Sequence, residues 1–174
     1  MVDSFDINPS VEEKMETNLN QDEIFMSEAI RLAMEAAERD EVPVGAVAVR
    51  DGKIIAMASN TRESTKCATH HAEILAIEDC CRALGGWRLP GVTLYVTMEP
   101  CAMCAGAIVN SRIERVVYGA KDFRFGAFGS ALDLNAAGLN HRPEVVGGVL
   151  GEECADILSS YFKNKRKKVK NSVL

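Results

Sequence analysis

The chain has 174 residues, 47% of them hydrophobic and 26% charged, and carries a formal net charge of -5. That length suits one ordinary domain with a single core, and no apolar run approaches the roughly 20 residues needed to cross a bilayer, so a membrane protein is not expected. The start, Met1-Val2-Asp3-Ser4-Phe5-Asp6, has neither a basic nor an apolar leader region, which points to a cytoplasmic, reducing setting. There the six cysteines (Cys67, Cys80, Cys81, Cys101, Cys104, Cys154) read as metal ligands or buried thiols rather than as a disulfide framework. The charge is unevenly spread: residues 1–23 hold seven acids against one base, whereas residues 161–174 hold six bases and no acid. Such a basic end can contact phosphates, though taken alone it reads as a solvated helix terminus.

Residues 1–19 are polar and acidic without clear periodicity and read as a mobile extension. Asn20 and Glu23 have capping-pair spacing, and Phe25, Ala29, Leu32, Ala33 and Ala36 recur at helical intervals, predicting a first helix to about Arg39. Val44–Val49 and Ile54–Ala58 are short apolar runs around Asp51-Gly52, a two-residue hairpin signal that makes the first two strands antiparallel. A helix is expected from His71-Ala72 to Leu84, stopped by Gly85-Gly86. Then follow a strand at Val92–Thr97, a helix from Cys101 to about Asn110, strands at Arg115–Tyr118 and Val145–Leu150, and an amphipathic helix from Glu152 to about Lys168. This alternation predicts an α/β fold: a sheet covered by helices on both faces, parallel after the opening hairpin. The domain is placed at 20–168, with 169–174 as a tail.

Chemistry concentrates in His71-Ala72-Glu73 and Pro100-Cys101-Ala102-Met103-Cys104. Two sulfurs three residues apart at the start of a helix lie within reach of one ion, and the helix N-terminus favours their thiolate forms. His71 is the natural third ligand, because it alone has a glutamate two residues on; His70 is left as a supporting or substrate-facing group. His plus two Cys makes a zinc site with one position free for water, whose pKa zinc lowers from about 15.7 to about 7. Glu73 can then contact that water without replacing it and carry its protons. A lone Cys-x-x-Cys or His-x-Glu says little, but the two motifs each opening a helix form a specific pair. Cys67, Cys80, Cys81 and Cys154 are read as buried or loop residues without a role.

These residues resemble the zinc nucleoside and nucleobase deaminase superfamily, and within it the bacterial tRNA-specific adenosine deaminases, from about Glu23 to Lys168. The resemblance is carried by Glu41-Val42-Pro43-Val44-Gly45-Ala46, Asn60, His71-Ala72-Glu73-Ile74, Thr97-Met98-Glu99-Pro100-Cys101-Ala102-Met103-Cys104-Ala105-Gly106-Ala107, Ser111-Arg112-Ile113 and Leu139-Asn140-His141-Arg142. It implies a three-layer α/β/α cytidine-deaminase-like fold with a mixed five-stranded sheet, one zinc per chain, and a homodimer that helps form an RNA groove. It implies the wobble adenosine of tRNA as substrate, flipped from its stack, attacked at C6 by zinc-held hydroxide and converted to inosine. The same resemblance makes Asn60 a base contact, places Val44 in the substrate site, and sets Asp122 beside the neighbouring nucleotide. The final helix, with Lys163, Lys165 and Arg166, resembles the family's RNA-gripping terminus. Phe123 and Phe125 follow Asp122 where smaller residues are usual; either can stack on an unpaired base, with at least one expected to pack beneath the loop instead. Two rival readings stand beside this one: a guanine or cytosine deaminase with the same zinc chemistry, and a zinc-stabilised RNA-binding module without catalysis.

Overall fold

The computed structural model describes residues 11–171. Along the chain run α1 (Val11–Glu38), β1 (Gly45–Arg50), β2 (Lys53–Ser59), α2 (Arg62–Thr65), α3 (Ala72–Leu84), β3 (Val92–Met98), α4 (Ala102–Ser111), β4 (Arg115–Ala120), β5 (Glu144–Gly147) and α5 (Gly151–Asn171). A single 3-10 turn, Leu134–Ala137, sits between β4 and β5.

The five strands form one sheet in the order β2-β1-β3-β4-β5. Asp51 and Gly52 both take positive φ, 51° and 69°, the conformation a two-residue hairpin needs to match strand twist, so Arg50 faces Lys53 across the turn. β1 pairs antiparallel with both β2 and β3, and the parallel part of the sheet is confined to β3-β4-β5. The strands after the hairpin are thus parallel to one another, as expected, and the antiparallel β1–β3 pairing joins them to the hairpin.

Alternation along the strands splits the core in two. Ala46, Ala48, Leu94, Val96, Val116 and Tyr118 join Ala72, Ala76, Ile77 and Cys80 of α3 and Ala105 and Ile108 of α4. Their neighbours Val47, Val49, Tyr95 and Val117 pack on Met26, Ala29 and Leu32 of α1 and on Cys154 and Leu158 of α5. The molecule is thus a three-layer α/β/α sandwich, and the period of two in the strands is what allows one sheet to carry two cores. Gly45 is required here, since a Cβ on it would collide with the Ala29 carbonyl of α1.

Three boundaries differ from the sequence expectation, the simplest being that α5 runs on to Asn171, past the anticipated domain end at 168. The first helix begins at Val11 rather than Asn20, running through the anticipated boundary at residue 19, while residues 1–10 lie outside the described region. Glu, Lys, Met and Leu between positions 12 and 19 are good helix formers, so the Asn20–Glu23 pattern falls inside a helix instead of opening one. The last strand stops at Gly147 rather than Leu150, because Gly148 turns with φ 90° and both its amide and that of Val149 close onto the Tyr118 carbonyl.

α1 is tied to the sheet by charge as well as by apolar contact. Buried Asp22 accepts two hydrogen bonds from the Arg115 guanidinium, at 2.7 and 2.8 Å, and a third from the Tyr95 hydroxyl at 2.8 Å. Burial, then the hydrogen bond to Asp22 and its charge, raise the Tyr95 phenol well above its usual range. Removing the carboxylate strands a cation and a hydroxyl together. Asp22→Ala is expected to lower unfolding free energy by about 3 kcal/mol in urea titrations; a loss below about 1 kcal/mol would remove this network from the account of how α1 docks.

Candidate active site

Two helices begin at the same place. His71 is the N-cap of α3, with φ -78° and ψ 152°, and Cys101 is the N-cap of α4, with φ -71° and ψ 172°. Cys104 lies one turn into α4, where its sulfur returns toward that end of the helix. The His71 Nδ1 is 3.8 Å from the Cys101 Sγ and 3.6 Å from the Cys104 Sγ, and all three donor atoms lie within 4.8 Å of one another. Tetrahedral zinc with Zn–S near 2.3 Å and Zn–N near 2.0 Å sets N···S separations of about 3.6 Å, so the donors are spaced as that ion requires. Among the described residues this is the one such group, and it offers three protein ligands, not four.

The local electrostatics follow from crowding. Cys101 falls to about 4, because the Cys104 thiol donates to it and, against the cost of burial, His71 does too. Cys104 is pushed strongly up by the same hydrogen bond to Cys101, by burial and by the nearby Glu73 charge. His71 is raised by its contact with Cys101. Two sulfurs and a carboxyl compete for protons here, a conflict that a bound dication would resolve by holding both sulfurs as thiolates.

Glu73, in the first turn of α3, is 4% exposed and is not in the three-ligand group. Burial raises its pKa above the usual carboxylate value. It lines a cavity of about 330 Å³ with Val42, Val44, Asn60, Arg62, His71, Met98, Cys101, Asp122 and Phe125. The structure therefore brings Val44, Asn60 and Asp122 to the same cavity as Glu73 and the ligand triad. Lys163, Lys165 and Arg166 lie on α5 and are not among its walls. Lys163 and Arg166 are exposed, but the Lys165 ammonium is occupied, 2.9 Å from the Tyr161 hydroxyl and 3.5 Å from Asp40. His70 does not reach the cavity either; its Nδ1 meets the Thr65 hydroxyl at 2.9 Å and steadies α2. Phe123 and Phe125 are 77% and 67% exposed, so neither packs beneath the loop. Cys80 and Cys154 are buried and Cys67 and Cys81 half-buried, consistent with thiols outside the site.

Two buried glutamates that sequence reasoning gave no role turn out to hold the walls. Glu41, fully buried, accepts from the Asn60 amide nitrogen at 3.4 Å and from the backbone amides of Glu63 at 2.9 Å and Ser64 at 2.7 Å. It fixes which way the Asn60 amide faces and gathers α2 beneath the cavity. Glu99 does the same opposite, accepting from the amides of Asp122, Phe128 and Ser130, each at 3.1 Å. Both stand in segments that carried the resemblance, but no local pattern distinguishes a carboxylate that binds distant amides from an exposed one.

A sequence model of the MafB19-like deaminase family matches residues 19–166. The tRNA-specific adenosine deaminase of Bacillus subtilis (strain 168) is 53% identical over 153 residues, covering 87% of this chain and 95% of that protein. A solved structure from a study of A-to-I editing by tRNA:A34 deaminases at the wobble position of transfer RNA is 46% identical, with a TM-score of 0.72, covering 77% of this chain and 98% of the other. The guanine deaminase structure from Bacillus subtilis is 40% identical over a shorter span, 57% of this chain and 64% of the other, with a TM-score of 0.55. The chain belongs to the deaminase family and, within it, to the tRNA-specific adenosine deaminases. Its layered sheet is the cytidine-deaminase-like fold, and it is a hydrolytic deaminase.

The Glu41 carboxylate supplies a pH test of the site's framework. Burial by itself would raise its pKa, yet the amides of Glu63 and Ser64 together hold it below the ordinary 4.5. A lowered folded-state pKa contributes stability that is complete above 4.5 and lost as pH falls through the folded value. Glu41→Gln, with one acceptor oxygen in place of two, is expected to cost roughly 1–3 kcal/mol at pH 7. Denaturation midpoints compared from pH 7 down to about 3 should converge with the wild type's at the acid end; a gap independent of pH contradicts this assignment.

Proposed function

We propose that this protein converts adenosine to inosine at the wobble position of tRNA, using zinc held by His71, Cys101 and Cys104. The observation that carries the reading is Glu73: a buried carboxyl on the cavity wall, beside a three-ligand group it does not join. A structural zinc site takes four protein ligands, whereas three leave room for chemistry. When bound, zinc supplies Lewis-acid activation of water at neutral pH.

The chain's own groups account for the remaining steps. A cavity of about 330 Å³ holds a single base, not a duplex, so the target nucleotide must leave its stack to enter. Asn60, its amide nitrogen held by Glu41, turns its carbonyl oxygen to the base edge and orients the ring. Glu73 accepts a proton from the attacking water and delivers it to the ring nitrogen beside C6, then takes the proton of the new C6 hydroxyl and passes it to the departing amine as the C6 carbonyl forms. A C6–O bond forms, the C6–N bond breaks, and ammonia leaves. Val42, Val44 and Met98 give the cavity apolar walls that exclude bulk water. The exposed Lys163 and Arg166 of α5 bind phosphates of the anticodon arm. We further propose a homodimer acting in the cytoplasm.

The 40% identity to a guanine deaminase keeps a free-base substrate as the second reading. Incubating the pure protein with tRNA bearing a wobble adenosine, with free adenosine, with guanine and with cytosine separates the two by which releases ammonia. Glu73→Ala is expected to keep zinc and fold but to lose turnover by about a thousandfold or more; retained inosine formation would remove its proton-carrying role. Lys163→Ala with Arg166→Ala should reduce the slope of log Kd against log salt for tRNA by about 0.7–0.9 per lost contact. Lys165→Ala should change that slope less, its ammonium being already engaged; equal slopes in all variants would take α5 off the RNA surface.

A further inference from the structure

The turn after β4 is built more rigidly than a surface loop needs. The Asp122 carboxylate accepts from the amides of Arg124 at 2.9 Å and Phe125 at 3.2 Å, and the Gly126 amide closes onto the Asp122 carbonyl at 2.9 Å. The turn is also pinned to the start of α4: Ala127 donates to the Pro100 carbonyl at 2.8 Å, and Gly126 bridges Cys101. Gly126 can be nothing larger, because a Cβ there would strike the Glu99 carboxylate. So the segment that carries two zinc-ligating sulfurs also fixes the orientation of Phe125.

Phe125 is two-thirds exposed, yet it lines the cavity that holds Glu73 and His71. A phenyl ring left in water forgoes roughly 1.5–3 kcal/mol of burial, and this one contributes nothing to either core. Its place is the rim, whereas Glu73 and Asn60, almost fully buried, lie deep. The same cavity is lined by Arg62, its side chain 45% exposed and only loosely matched to Glu63 at 3.4 Å, and Arg124 is exposed on the aromatic turn itself. An apolar face flanked by cations at the mouth of a one-base cavity fits a stacked nucleobase with its phosphate, the pairing by which single-stranded RNA is commonly held.

We infer that Phe125 is a specificity-determining contact whose ring stacks on the unpaired base adjoining the target nucleotide. The inference rests on the RNA reading above and adds to it a requirement for an unstacked neighbour. A target base that enters between Asn60 and Glu73 carries its neighbour to the rim, where the ring replaces the stacking partner that extrusion removed. Strand continuity, not only the target base, is then part of what the enzyme recognises.

The test is a thermodynamic cycle between protein and RNA. Zinc-loaded wild type, Phe125→Ala and Phe125→Trp are assayed on an anticodon stem-loop with the target adenosine, and on versions carrying an abasic ribose at the 5′ or the 3′ neighbour. In the wild type, one of the two abasic substitutions should raise KM roughly tenfold or more with kcat nearly unchanged. Phe125→Ala should raise KM on the intact RNA by a similar factor and be indifferent to that same abasic position, and Phe125→Trp should restore the sensitivity. An unchanged KM in Phe125→Ala, or penalties that multiply independently, overturns the stacking. So does a variant whose oligomeric state alone has changed in size-exclusion chromatography, since the ring would then face a second copy. Turnover of guanine or cytosine with none on RNA by the wild type overturns the RNA reading as well, which separates the two failures.

Discussion

Everything in the site depends on two helices, α3 and α4, presenting their N-termini to one point from the same face of the sheet. At an N-cap the backbone is still extended while the next amides are free, so His71 and Cys101 leave their chains pointing outward from the helix ends. Both helix dipoles then favour negative charge where the two sulfurs and the Glu73 carboxyl converge. The apolar layer formed by Ala72, Ala76, Ala105 and Ile108 against β1, β3 and β4 sets that convergence. Without it the Nδ1 and the two sulfurs would not fall within 4.8 Å of each other.

Buried carboxylates do the work around this point that cations or caps do elsewhere. Glu41 and Glu99 are 0% and 2% exposed, and each is satisfied chiefly by backbone amides from loops distant in sequence. Amides serve well because they are fixed dipoles that cost no side-chain entropy to hold. Glu41 thus braces the part of the cavity lining that holds Asn60, and Glu99 the turn that brings Asp122 and Phe125 to the same cavity.

The surface electrostatics divide the labour differently from what the basic terminus suggests. A net charge of -5 does not favour nucleic acid, and the six bases of residues 161–174 are not all available. Lys165 is spent on joining α5 to the end of α1 through Tyr161 and Asp40, so part of the positive charge stabilises the fold. Lys163 and Arg166 remain in solvent, on the same helical side by their spacing of three.

What the sequence determined by itself were the features written in local rules. Asp51-Gly52 dictates a hairpin because both residues tolerate positive φ, and the apolar runs of β1, β3 and β4 dictate strands buried on two faces. The Pro-Cys-x-x-Cys and His-x-Glu spacings mark out the three-residue group His71, Cys101 and Cys104, with Glu73 beside it, because metal geometry and helix starts constrain residues a few positions apart. The tertiary structure decided what depends on contacts between segments far apart in the chain. It set the antiparallel β1–β3 pairing, the start of α1 at Val11, and the end of β5 where Gly148 turns. It also directed Glu41 and Glu99 to amides more than 20 residues away, engaged Lys165, and left Phe125 at the rim. A residue's pattern along the chain records which elements it can join, but its partner across space is chosen by packing, and side-chain roles follow from that choice.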